Sequence, residues 1–350
     1  MKAAVVHGAG VLRVSEVPMP VPGPYDALCE ITHGATCTGT DQHIIHGRFP
    51  FFPIPMPTVL GHESVGRVVE TGAKVRNFRV GDTVSRVGTP PAADGSLNAH
   101  WGGFAEYGIA RDHWAMCRDG VPRPEWNAHR VNQIVPPGVE PREATMIITW
   151  RETLSFLRRA GFRAGMRLLV LGSGGNGLAY AAHATRIGAQ TVLMTGSPGR
   201  AGHAAAVGAE ALFDYRDDRL ADRIRERCPD GFDLVIDAVG REGALSQVLP
   251  LVRPEGTVCV YGIDDLDAVA VRLRAARGPV RVFVGPYDEE ETHHEVVSEI
   301  LRGRLAADPW FGAQDAFPLE RINDAFECVE ARREVKALVK MGQGREATII

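Results

Sequence analysis

The apolar run Leu168-Leu169-Val170-Leu171 passes directly into Gly172-Ser173-Gly174-Gly175-Asn176-Gly177, and no other segment narrows the possible folds so far. The pattern reads as a buried strand, a sharp turn and a small-residue helix over 177–188. Gly172 suits the tight turn, Gly174 lets backbone approach a ligand, and Gly177 lets the helix lie close on the strand. The first N–H groups of such a helix lack partners within it and sit at the positive end of its dipole, which suits a phosphate. In a chain with 39 glycines the G-x-G-x-x-G pattern alone is weak. Its place between strand and helix makes Gly172, Gly174, Gly175, Asn176 and Gly177 the expected cradle for a dinucleotide pyrophosphate.

The same rhythm continues downstream. Residues 167–171, 191–194, 211–213, 234–236 and 257–261 read as strands, helical runs fall at 200–207, 218–228 and 241–250, and 282–285 reads as an outer strand. Strands alternating with helices call for a doubly wound, parallel α/β sheet. The second strand ends at Thr195, where a carboxylate would hold the adenosine ribose of NAD. Here Thr195-Gly196-Ser197-Pro198-Gly199-Arg200 offers two hydroxyls and a guanidinium instead. Those groups suit a 2′-phosphate, so NADP(H) is favoured over NAD(H), with Thr195, Ser197 and Arg200 as its readers. Ala238, Tyr261 and Gly262, at the ends of two later strands, are expected to complete the cofactor site.

Before about residue 145 the texture differs. Short β-like runs at 2–7, 12–17, 27–33, 64–70 and 82–87 are separated by glycine and proline turns. Phe49-Pro50-Phe51-Phe52-Pro53-Ile54-Pro55-Met56-Pro57 cannot form a helix interior, because each proline lacks a donor and clashes with the preceding turn. Helices at 290–302 and 319–331 and a strand at 335–340 end the chain. The expected division is a catalytic domain of residues 1–150 and 286–350, with a dinucleotide domain of 151–285 inserted in it.

A net charge of -4 gives no general pull toward nucleic acid or an anionic membrane. No apolar run nears the roughly 20 residues that cross a bilayer, and the opening segment lacks a signal-peptide pattern. A cytoplasmic protein acting on a small molecule is expected. The six cysteines include no C-x-x-C pair, so neither a disulfide framework nor a cysteine-rich structural zinc site is expected.

Several motifs in order carry a resemblance over nearly the whole chain: Gly61-His62-Glu63-Ser64-Val65-Gly66, Gly81-Asp82-Thr83-Val84, Gly102-Gly103-Phe104-Ala105-Glu106-Tyr107, the glycine loop, Phe232-Asp233-Leu234-Val235-Ile236-Asp237 and Phe317-Pro318-Leu319-Glu320-Arg321-Ile322. The chain resembles the medium-chain dehydrogenase/reductase family, the zinc alcohol and polyol dehydrogenases and their zinc-free relatives. That resemblance implies a GroES-like β-barrel, a Rossmann domain, a catalytic cleft between them, and a homodimer or homotetramer joined at the sheet edge near 282–285.

It also implies a zinc held by cysteine, histidine and a third ligand, and here the sequence departs. Matching Gly39-Thr40-Asp41-Gln42-His43 to the family's first motif puts Thr38 at the cysteine position, with Cys37 one place early, while His62 is present and the third position falls at Ile148. Thr40 and His43 match the hydroxyl and imidazole that carry the substrate proton, and Glu63 stands ready to orient His62.

Two readings follow. The favoured one is an oxidoreductase without catalytic zinc, in which Thr40, His43, His62 and Glu63 assist reduction of an activated C=C, C=N or C=O bond. The alternative turns Cys37 inward and rebuilds a zinc site from Cys37, His62 and Glu63 or Glu152, as in an alcohol, polyol or cyclitol dehydrogenase. A third class is a dinucleotide-binding protein without turnover. Phe49, Phe51, Phe52, His100 and Trp101 either line an apolar pocket or pack against the barrel, and His293-His294 is expected in an exposed turn.

Overall fold

The computed structural model describes residues 1–241, 243–264, 272–312 and 315–342. These form two compact units, one of residues 1–148 and 289–350, the other of 149–288.

In the first unit a seven-stranded sheet has Asp26–Ala35 at its centre. Glu63–Thr71 pairs with it antiparallel on one side and Leu338–Lys340 on the other, so the end of the chain closes the unit that its beginning opens. A four-stranded sheet adds Val11–Glu16, Lys2–Gly8, Thr58–Val59 and Asn98–Ala99. Ala4, Val6, Ile31, Val68, Phe104 and Val339 bury themselves together in its core. The strand at the end is shorter than the sequence suggests, and residues 319–331 split into a 3-10 turn, Leu319–Arg321, and a helix, Ile322–Glu330.

The second unit is a six-stranded sheet in the order Ala211–Asp214, Thr191–Gly196, Arg167–Leu171, Phe232–Asp237, Val252–Val260, Arg281–Phe283. Every neighbouring pair is parallel. The fold class is therefore the α/β arrangement read from the alternating pattern, with the Gly175–Ile187 helix leaving the glycine turn.

One long element escaped the pattern. Pro141–Arg159 is a helix of 19 residues, with proline in its first position, Glu143 in the first turn and Arg158 and Arg159 in the last. Met146, Ile147, Ile148, Trp150, Leu154 and Leu157 are all buried, so burial runs round the helix and leaves no polar stripe to read. Its threonines and isoleucines are also poor helix formers. Among the described residues no helix is long and apolar enough to cross a membrane.

Candidate functional site

The chemistry in the first unit begins where the central strand stops. That strand ends at Ala35, so Cys37 lies beyond it in an irregular stretch and is not bound by the alternation of a strand. A one-residue offset here does not reverse the side chain. Asp41, fully buried on the short helix Thr40–Ile45, fixes the local path by accepting the Cys37 N–H at 2.9 Å. Its other oxygen accepts the Nδ1–H of His62 at 3.1 Å. One carboxylate thus ties together two residues 25 positions apart in sequence.

Gly61 sets the approach of His62. Its φ is +96°, and a Cβ there would stand 2.6 Å from the Phe104 nitrogen, so only glycine lets the chain turn at this point. The guanidinium of Arg86, itself at φ 62°, donates to the His62 carbonyl at 3.2 Å. The result is a group in which the ligand atoms of Cys37, His62 and Glu63 all lie within 4.8 Å of one another. His62 Nε2 stands 3.6 Å from Glu63 Oε1.

Electrostatics match the geometry. Burial alone would push the His62 imidazole down, but the charge and hydrogen bond of Asp41, joined by Cys37, lift it well above its ordinary value. Both oxygens of Glu63 accept from the buried ammonium of Lys336, Nζ, at 2.7 and 2.5 Å. Lys336 also donates to the Thr36 carbonyl at 3.3 Å. Burial works against that charge too, yet Glu63, with Cys37 and Asp41, holds it above the usual lysine value.

Thr40 and His43 stand on the same short helix, three positions apart and half-buried. His43 Nδ1 donates to the Gly39 carbonyl at 2.8 Å, which leaves Nε2 as the accepting nitrogen. Glu152, the other carboxylate named from the sequence, belongs to the second unit, where it accepts from the Tyr261 hydroxyl at 3.1 Å. His293 is not exposed as its sequence suggested: it is buried, with Nε2 on the Ile134 carbonyl at 2.9 Å, because the 289–301 helix presents that face inward.

In the second unit the predicted cofactor residues converge on the carboxyl ends of the parallel strands. Gly172 has φ +108°, and a Cβ on Gly177 would stand 2.1 Å from the Gly172 carbonyl oxygen, so helix and turn close on each other only without side chains. Gly174 caps the helix that begins at Gly175 and Asn176. The Gly172 N–H donates to the Thr195 carbonyl at 3.0 Å, and Ala238 N–H to the Leu171 carbonyl at 2.9 Å. The N–H groups of Tyr261 and Gly262 both reach the Asp237 carbonyl, at 3.0 and 2.9 Å. Ser197 leads into the Pro198–Arg200 turn, and Arg200 is only 8% exposed, with Nη1 donating to His203 Nε2 at 3.3 Å.

Asp41 and Lys336 received no role from the sequence alone. Asp41 stood inside a quoted motif, and its signal was a carboxylate between two candidate ligands. Lys336, one of only four lysines in the chain, becomes relevant through the strand pairing of Leu338–Lys340 with Asp26–Ala35.

A GroES-like domain and a Rossmann domain with these glycine and histidine sites define a class, and comparison with known proteins gives the family. Residues 23–119 match the alcohol dehydrogenase GroES-like domain, and residues 175–280 match the zinc-binding dehydrogenase domain. The chain is 30% identical to a protein named as a probable zinc-binding alcohol dehydrogenase of Mycobacterium tuberculosis, over 95% of this chain and 86% of the relative. It is 26% identical to the sorbitol dehydrogenase of Ovis aries, covering 96% and 95% of the two chains. A dehydrogenase structure from Sinorhizobium meliloti 1021, bound to NADP, superimposes with a TM-score of 0.77 at 25% identity, over 97% of this chain and 98% of that one. The chain belongs to the zinc-type medium-chain alcohol and polyol dehydrogenase family.

Proposed function

We propose that this protein is a nicotinamide-dependent dehydrogenase that interconverts an alcohol and a carbonyl compound, with zinc held by Cys37, His62 and Glu63 and with NADP(H) preferred to NAD(H). The observation that carries the zinc assignment is the donor set itself: a thiol, an imidazole and a carboxylate with ligand atoms within 4.8 Å. Three protein ligands and one open position suit a catalytic zinc. The hydrogen bond from His62 Nδ1 to Asp41 supports it further, since such a carboxylate orients the ring so that Nε2, on losing its proton to a metal, points at the Cys37 and Glu63 ligand atoms. This moves the weight from the zinc-free reading to its alternative.

When bound, zinc supplies Lewis-acid polarisation of the substrate oxygen, worth roughly several kcal/mol, and oxidised nicotinamide accepts the hydride. The residues of the chain do the rest. Asp41 orients His62, and Lys336 offsets part of the negative charge that Cys37 and Glu63 bring together. The hydroxyl proton of the alcohol leaves through Thr40 to Nε2 of His43, the nitrogen not engaged with Gly39. The glycine turn of Gly172 to Gly177 holds the pyrophosphate, and Arg200, Thr195 and Ser197 face the 2′-phosphate where no carboxylate follows the strand.

The zinc-free reading keeps one observation in its favour: Lys336 already neutralises Glu63 in a buried pair. Metal analysis of protein purified without chelators separates the two. We expect one zinc per chain, removed together with activity by a strong chelator, and nucleotide-dependent alcohol oxidation followed by absorbance of the reduced nicotinamide. Metal-free protein with undiminished turnover overturns the zinc assignment. The outer strand Arg281–Phe283, with Val282 67% exposed, supports a homodimer formed by pairing of two such edges, which light scattering tests.

A further inference from the structure

A chain of aromatic rings runs from the exposed surface of the first unit to His62. The Trp101 ring lies 5.6 Å from the His62 ring, and Phe49 lies 5.8 Å from Trp101, edge to face. Phe51 and Phe52 meet Phe49 at 5.4 and 5.1 Å. His100 closes a ring of four, 4.1 Å from Trp101 and 4.6 Å from Phe52. Phe49 and Trp101 are anchored on the core, whereas Phe51 and Phe52 are 55% and 39% exposed.

No fold requirement explains that exposure. The other phenylalanines among the described residues are buried or half-buried. Leaving two aromatic faces in water forgoes the stabilisation their burial would bring. Prolines at positions 50, 53, 55 and 57 stiffen the loop and keep it from collapsing over the rings. Among these rings the polar atoms are the indole N–H of Trp101 and the imidazole of His100, which burial and the charge of Arg86 push toward the neutral form. A polyol needs many hydrogen-bonding groups to replace water around its hydroxyls, and of Phe49, Phe51, Phe52, His100 and Trp101 only the last two carry one. An aromatic ring attached to the reacting carbon, directly or by a short linker, finds edge-to-face partners instead.

We propose that the substrate is an alcohol, or the matching carbonyl compound, bearing an aromatic ring or similarly bulky apolar group, and that polyols are poor substrates. This rests on the dehydrogenase reading above and sharpens it, departing from the sugar alcohol in the name of the sorbitol dehydrogenase relatives. Zinc-replete protein is assayed with NADP+ and NAD+ against benzyl alcohol, 1-phenylethanol, 2-propanol, sorbitol and xylitol. We expect kcat/KM for the aromatic alcohols to exceed that for the polyols by about a hundredfold or more. Phe52→Ala is expected to lower the ratio of kcat/KM for 1-phenylethanol to that for 2-propanol roughly tenfold, chiefly through KM. Calorimetric binding of 1-phenylethanol to protein holding NADP+ weakens in parallel. Val80→Ala, which removes an exposed apolar side chain from the same unit but outside the wall, leaves the ratio unchanged. Turnover of polyols with aromatic alcohols inert overturns the substrate assignment and leaves the dehydrogenase reading standing. An unchanged ratio in Phe52→Ala also overturns it. Silence with every alcohol, and with the carbonyl compounds in the reducing direction, overturns both.

Discussion

The two units build their candidate ligand sites by opposite means. In the second unit the proposed cradle is built from what is missing: Gly172 and Gly177 approach to where a single Cβ would collide, at the start of the Gly175–Ile187 helix, whose N-terminus suits a phosphate. In the first unit the site is built from side chains that need one another. Asp41 holds Cys37 and His62, and Lys336 holds Glu63, all buried or nearly so. A backbone cradle tolerates change in its surroundings but not in its glycines. A buried ionic network fails when any member is removed, because the partner left behind stays charged and desolvated.

The largest effect should come from breaking the network at its centre. His62→Ala is expected to lower kcat/KM by about 10³-fold, equivalent to roughly 4 kcal/mol. Zinc content should fall while NADPH affinity, measured by calorimetry, stays within about twofold. Gly177→Val attacks the other unit and should show the converse. The new side chain meets the Gly172 carbonyl, at a cost of about 3 kcal/mol in stability. NADPH binding is lost, yet zinc remains near one per chain. If either variant removes both ligands in still-folded protein, the two sites are not separable as argued.

This contrast also explains what could be read in advance. The glycine turn is contiguous, and each residue's reason lies within six positions, so strand, turn and helix were legible together. The other site draws on residues 37, 41, 62, 63 and 336, which meet only through strand pairing across the unit. Counting positions set Cys37 one place before the family's cysteine, and only the structure shows it beyond the Asp26–Ala35 strand, where no strand alternation fixes its side chain. The helix Pro141–Arg159 was invisible for a different reason, since burial on every side erases the period that marks a surface helix.

A smaller effect tests the rim of the cradle. Arg200 is nearly buried at the end of the Thr191–Gly196 strand, where a charge-assisted bond to a 2′-phosphate is worth roughly 1.5–3 kcal/mol. Arg200→Ala should therefore raise KM for NADP+ by about tenfold to a hundredfold and leave KM for NAD+ nearly unaltered. An unchanged ratio of the two would remove Arg200 from cofactor recognition.

The gentlest probe compares histidines across the two units. Where Asp41 and Cys37 lift His62 well above its normal value, burial beside Arg186 and Arg158 pushes His183 down to about 3. His183 sits fully enclosed in the second unit, its Nε2–H donating to the Trp150 carbonyl at 3.0 Å. Its folded value lies below its unfolded value of about 6.5. Between those two values the unfolded chain binds the extra proton, so stability falls as pH drops from about 6.5 toward 3, by at most about 1.4 kcal/mol per pH unit for this group. His183→Gln can keep a donor toward Trp150 without titrating. Urea unfolding at successive pH values should then give a shallower acid slope for the variant than for the native chain. Superimposable slopes would mean that His183 does not change its protonation between the folded and unfolded chain, and burial would not hold its imidazole neutral as argued.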